Sequence, residues 1–177
     1  MSNTLYWGNV KHRGMTFTLV RHKEALCFVG LPNQSHDSIV KWTQSHFPHH
    51  DLVHVDGEIG QLAVQLKTYL DGEVDHLDGP LELHGTQFQQ AVWDALCAVP
   101  FGETRTYSQI AENLRKPSAV RAVGAAIGAN PLPIFVPCHR VIGKDGKLTG
   151  YRGGIELKAS LLLLEARRKK MMSCHMN

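Results

Sequence analysis

The sequence predicts two domains of different class: a small α/β or α+β N-terminal domain over residues 1–85 and a mostly α-helical C-terminal domain over 86–177 with a helix-turn-helix. Three observations predict it. Short alternating apolar runs fill the first thirty residues, an acidic stretch rich in turn formers interrupts the chain at 69–85, and a series of capped helical periods follows it. A chain of 177 residues buries roughly two thirds of its unfolded surface, enough for a core without disulfide staples.

In order, "LYWGNV", "MTFTLVR" and "EALCFVG" read as strands, with Met15, Phe17 and Leu19 alternating onto one face. "DSIVKWTQSHF" and "IGQLAVQLKTYL" read as helices; in the second, Ile59, Leu62, Ala63, Leu66 and Leu70 recur at helical spacing. Between them, His46, His49, His50 and His54 raise the possibility of a metal. Pro48 breaks any helical register and no cysteine or acidic pair stands nearby, so surface histidines are expected. "YLDGEVDHLDGPLELHG" is expected to be a linker.

Past the linker, Thr86 and Gln89 form a capping-box signature opening a helix whose apolar face is Phe88, Val92, Leu96 and Val99, ended by Pro100 and Gly102. Thr106 and Gln109 repeat it for "TYSQIAENL", with Tyr107, Ile110, Ala111 and Leu114 on the apolar side. After a break at "RKPS" comes "AVRAVGAAIGANP", stopped by Asn130 and Pro131. Two short helices joined by a tight turn, the second small and carrying Arg121 near its start, fit either a DNA-binding helix pair or plain core packing.

Charge sharpens that choice. The net is only +3, but residues 1–90 carry 6 basic against 10 acidic side chains and residues 91–177 carry 13 against 6, so the halves differ at −4 and +7. Either the C-terminal half meets a polyanion or it is a solvated surface with a basic tail, "EARRKK". Cys27, Cys97, Cys138 and Cys174 make no CxxC pair and are expected to be reduced thiols of a cytoplasmic protein. The first residues lack a basic start with an apolar core, and no run reaches the roughly 18 apolar residues that span a bilayer, so no membrane association is expected.

The most informative segment is "PIFVPCHRVIG", residues 133–143. "PIFVP" reads as an extended strand. A thiol of pKa near 8.5 is only a few per cent thiolate at neutral pH, so a nucleophilic Cys138 needs a base or cation; His139 and Arg140 are the candidates. Adjacent residues of an extended chain point apart, so a bridging water or a turn is required. Cys27 and Cys97 sit in apolar runs and fit buried, inert thiols.

The pentapeptide "PCHRV", preceded by "GANPLPIFV" and followed by "GYRGG" and a leucine-rich helix, resembles the O6-alkylguanine-DNA alkyltransferases, the methylated-DNA–protein-cysteine methyltransferases, closely over residues 86–165. The resemblance implies a ribonuclease H-like N-terminal domain and a suicidal S-methyltransferase that transfers an alkyl group from O6-alkylguanine in double-stranded DNA to Cys138 after nucleotide flipping. It implies His139, through a water, and Glu165 as the proton relay. It further implies Asn130 as the tie between the helix end and the active-site segment, and Tyr107 as donor to the guanine ring nitrogen. Arg121 is implied as the residue entering the stack, with Tyr107, Ser108, Ala119 and Ala122 on the DNA face. The carbonyls of Cys138 and Val141 are implied acceptors for the guanine amino group, and Tyr151, Arg152 and Gly153 the lid. Arg152 departs from the small residue usual there. Some relatives hold zinc through N-terminal cysteines and histidines; with only Cys27 in that region, no metal is expected. No cofactor and a monomer are expected. A sequence-specific regulator and a cysteine hydrolase are the rival readings, the latter lacking an evident oxyanion hole.

Overall fold

The computed structural model describes residues 3–56 and 59–175, and the chain divides into two compact units, Met1–His84 and Gly85–Asn177.

In the first unit, β1 (Thr4–His12), β2 (Met15–His22) and β3 (Ala25–Gly30) form an antiparallel meander, followed by α1 (His36–His46), β4 (Asp51–His54) and α2 (Gln61–Leu70). The turn between β1 and β2 is a two-residue connection with Arg13 and Gly14 at φ 45° and 80°, the left-handed geometry that matches strand twist. β4 lies parallel to β1, giving the order β3-β2-β1-β4. Leu5, Val20, Cys27, Phe28, Ile39 and Phe47 form a buried cluster, and Leu62, Ala63, Leu66 and Leu70 bury the expected face of α2.

Two expectations change here. β4 had no strand signal, because Leu52 alone of its four residues is even half-buried. The stretch 69–85 is not a free linker. Tyr69 and Leu70 complete α2 and are buried, and the segment after it is strapped to β3: Leu26 N donates to the Pro80 carbonyl and Glu82 N to the Leu26 carbonyl, both at 2.9 Å, while Glu82 holds His22 and His84 at 2.8 and 2.7 Å. Of the histidine cluster, His46 stacks on Trp42 at 4.3 Å and His54 packs on Trp7 at 4.4 Å. Among the described residues, no three His, Cys, Asp or Glu side chains group as metal ligands.

The second unit contains α3 (Gln87–Cys97), β5 (Arg105–Thr106), α4 (Tyr107–Asn113), α5 (Val120–Gly128), a single 3-10 turn (Cys138–Arg140), β6 (Val141–Ile142) and α6 (Ile155–Cys174). Both capping boxes form: Thr86 with Gln89 and Thr106 with Gln109. α3 buries Val92 and Leu96, but also Trp93, whose indole N–H donates to the Ala126 carbonyl at 2.9 Å and pins α3 to α5. α4 ends in a Schellman motif: Arg115 at φ 57° lets its own N–H reach the Glu112 carbonyl at 2.8 Å and Lys116 N–H the Ala111 carbonyl at 2.9 Å. α5 stops at Gly128, so the expected helix is shorter at both ends. β5 and β6 pair in parallel, so Tyr107, which follows β5 directly and opens α4, starts its helix at the end of the strand paired with the one that follows the Cys138 turn. Among the described residues, no helix is long and apolar enough to cross a membrane.

Candidate functional site

The segment leading to Cys138 is a compact loop, not the expected strand. Val136 N–H donates to the Leu132 carbonyl at 2.8 Å, Pro133 bridges Val136, and Ile134 adopts φ 76°, a conformation costly for a β-branched residue and held by its surroundings. Pro137, at φ −78° and ψ 63°, centres an inverse γ-turn closed by a 2.7 Å bond from Cys138 N–H to the Val136 carbonyl. The 3-10 turn that follows replaces the strand geometry that would set Cys138 and His139 on opposite sides.

Asn130 fixes this loop from within. Buried, it donates from Nδ2 to the Val136 carbonyl at 3.0 Å and accepts at Oδ1 from Leu132 N–H at 2.9 Å. Its side chain also lowers the Cys138 thiol pKa, against the larger raising effect of burial.

Behind the thiol lies a buried ionic cluster. His139 and Glu165 are both wholly excluded from solvent, with Nε2 and Oε1 2.7 Å apart. Because a carboxylate only accepts, Nε2 carries the proton and Nδ1 is the basic nitrogen. Burial pulls the imidazole's pKa down, against the raising effect of Glu165. Glu165 also accepts from Arg140 Nε at 3.1 and 3.0 Å, from Arg140 Nη2 at 3.0 Å and from Gly102 N–H at 2.9 Å. Arg140 Nη1 reaches the Val99 carbonyl at 2.7 Å.

Arg140 is thus turned toward Glu165, and the cations acting on the thiol are Arg152 and Lys158. Their pull does not dominate: burial pushes the Cys138 thiol above its usual range, so in this closed arrangement it is protonated at neutral pH.

Cys138 forms part of a cleft lined by Ile127, Gly128, Asn130, Pro133, Gly150, Tyr151 and Arg152. Its free space is about 10 Å³, the room of one water. Arg152 Nη2 spans to the Asn130 carbonyl at 2.8 Å. Tyr107 Oη donates to the Thr149 carbonyl at 3.3 Å, putting its hydroxyl beside the same loop. Val141 is buried with its carbonyl accepting from Lys158 Nζ, and the Cys138 carbonyl accepts from Val141 N–H. Gly153 follows in the loop, half-buried. Arg121 and Ala122 are exposed at the start of α5, and Ala119 and Ser108 half-buried, all outside the cleft lining.

Lys158 was not foreseen. It is 1 % exposed and ties β6 to the loop through the Val141 carbonyl and, at 2.9 Å, the Thr149 carbonyl. A signal existed: Lys158, Leu161 and Glu165 recur at i, i+3 and i+7, one face of α6, and all three are buried. Arg140 was read as a partner of the thiol; nothing in the sequence distinguishes that from its role as the clamp on Glu165.

Comparison with known proteins places this geometry. Residues 87–167 match the family described as 6-O-methylguanine DNA methyltransferase, DNA binding domain. The inducible methylated-DNA–protein-cysteine methyltransferase of Bacillus subtilis is 48 % identical over 96 % of this chain and 94 % of its own length. A second relative of that name, from Mycobacterium tuberculosis, is 57 % identical over 59 % of this chain and 63 % of its own. Among solved structures, Mycobacterium tuberculosis OGT in complex with DNA superposes with a TM-score of 0.80 at 40 % identity, covering 92 % of this chain and 94 % of that one. The O6-methylguanine-DNA methyltransferase of Pyrococcus kodakaraensis superposes at 0.68 with 26 % identity, over 91 % and 98 %. With a relative this similar over nearly both full lengths, the chain belongs to the methylated-DNA–protein-cysteine methyltransferase family.

Proposed function

We propose that this protein repairs DNA by transferring the alkyl group of O6-alkylguanine, chiefly O6-methylguanine, from duplex DNA to Cys138, irreversibly and once per molecule. One observation carries the reading: a cysteine in the wall of a cleft, followed by an imidazole whose Nε2 is locked at 2.7 Å onto a buried carboxylate.

The Cys138 sulfur attacks the alkyl carbon; an S–C bond forms as the O6–C bond breaks, and the electron pair stays on guanine O6. The thiol proton passes through a water to Nδ1 of His139, whose resulting imidazolium is stabilised by Glu165. Tyr107 donates to the guanine ring nitrogen and neutralises the leaving base. Asn130 holds the loop that carries the sulfur. The Cys138 and Val141 carbonyls accept from the guanine amino group, each having a second lone pair beside the bond it already accepts. Tyr151, Arg152 and Gly153 close over the base.

Inside a stacked duplex the alkyl carbon is out of reach, so the nucleotide is flipped, at a cost of a few kcal/mol that falls for a weakened pair. Helices α4 and α5 act as the helix-turn-helix, entering the minor groove. Ser108, Ala119 and Ala122 allow close approach, and Arg121 fills the vacated position. The first unit is ribonuclease H-like. The protein acts as a monomer in the cytoplasm, where its thiol stays reduced.

Incubation with duplex containing O6-methylguanine adds one CH2 to the intact mass per chain. An unchanged mass refutes the reading. Cys138→Ala abolishes transfer and retains DNA binding. Arg121→Ala slows reaction with duplex far more than with the free base; equal slowing removes the role given to Arg121.

A further inference from the structure

We propose that Arg152 is a specificity-determining residue: its guanidinium latches the loop 143–154 over Cys138, slowing attack by small alkylating agents in solution and favouring a base delivered by DNA. The inference deepens the repair reading and rests on it for the word repair, but the latch itself rests on geometry alone.

The cleft in its present state has room for about one water, far less than a purine needs. Three residues of its lining, Gly150, Tyr151 and Arg152, belong to the loop. Arg152 donates a hydrogen bond across the cleft, 2.8 Å from Nη2 to the carbonyl of Asn130. That carbonyl stands just past the C-terminal end of α5, where the helix dipole favours a cation. Asn130 is also the residue whose side chain holds the Cys138 loop. One guanidinium therefore joins the lid to the support of the nucleophile.

A ligand shifts a closed-to-open equilibrium only by its differential affinity for the open state. A small neutral electrophile has no group to exchange for the Arg152–Asn130 bond. A DNA backbone has: phosphate oxygens take a guanidinium bidentately, with stronger bonds than a neutral carbonyl offers. A protein that uses its sulfur once gains from this discrimination, because every encounter with a free electrophile would consume it. The closed state also keeps the thiol neutral through burial, a second barrier to attack.

The test uses iodoacetamide on the full chain. The Cys138 sulfur forms a bond to the CH2 carbon, the C–I bond breaks, iodide leaves with the pair, and the thiol proton goes to solvent. Labelling is followed by peptide mass, with Cys97, exposed in the structure rather than buried as its apolar run suggests, and exposed Cys174 as internal references and buried Cys27 as the monitor of folding. In Arg152→Ala the rate at Cys138 relative to Cys97 rises about tenfold or more, the loss of one charge-assisted bond. Arg152→Lys lies between the two. Equal Cys138 rates in all three proteins overturn the proposal. If Cys27 becomes reactive in Arg152→Ala, the fold has loosened and Arg152→Lys decides by the same criteria. A protein inert toward O6-methylguanine duplex but showing these labelling shifts would keep the latch and refute the repair reading.

Discussion

Donors from His139, Arg140 and Gly102 converge on the carboxylate of Glu165, so this side chain is held as an acceptor and the proton stays on the imidazole. Removing one partner of so buried a pair exposes the other's charge to a dry interior. Arg140→Met is therefore expected to destabilise the protein by about 3–5 kcal/mol in denaturant unfolding; a loss under 1 kcal/mol would contradict the clamp, being the range of an exposed pair. Titration of the site has two signs. His139 is pulled below its ordinary 6.5, so the folded protein prefers it neutral: that stability is complete above 6.5 and is lost as pH falls toward the folded value. Cys138 is pushed above its ordinary 9.0, so its contribution is complete below 9.0 and is lost as pH rises toward the folded value. Between these limits both contributions are complete. Cys138→Ala reduces the alkaline loss, the rest of which comes from Cys27 and Cys97, whose thiols burial also pushes up, and leaves the acid one, measured as urea midpoints against pH; an unchanged alkaline limb would show that the sulfur is not buried as described.

At the level of elements, sequence signals were read well where one local rule decides the structure. The capping boxes at Thr86 and Thr106 form as their spacing demands, and Phe17 and Leu19 bury on the same side of β2. They were read poorly where distant partners decide. The loop 133–137 carries the composition of a strand, yet Ile134 adopts a positive φ that its own chemistry disfavours, because Asn130 and the bond from Val136 to Leu132 hold the chain there. Lys158 and Glu165 break the rule that charged residues stay outside, and their partners come from other segments. Two local substitutions test this level. Arg115→Gly, at φ 57° in the α4 cap, is expected to stabilise by about 0.5–1 kcal/mol. Thr106→Ala should cost about 1 kcal/mol by opening the capping box, and it also loosens the start of the helix that carries Tyr107. Thermal midpoints moving in the opposite directions would contradict both cap assignments.

Across the whole molecule, the charge division follows the division into units: the residues 85–90 carry no charge, so the second unit holds the +7 and the first the −4. The second unit also holds the cleft, the buried relay and the exposed Arg121. Binding of the full chain to duplex DNA is accordingly expected to weaken as salt rises, log K falling linearly with log salt concentration, and Arg121→Ala to bind less tightly at every salt; a salt-independent affinity would contradict the assignment of the basic half to a polyanion. The sequence was most legible in this unit because PCHRV lies within a run of closely matching residues, and least legible in the strap 80–84, where the decisive bonds run to β3. The most direct measurement of the central claim is a peptide map of the protein after saturation with O6-methylguanine duplex, scored at all four cysteines. The account predicts one methyl per chain, on Cys138, with Cys27, Cys97 and Cys174 unmodified; a methyl on another cysteine, or continued loss of O6-methylguanine beyond one equivalent of protein, would contradict it.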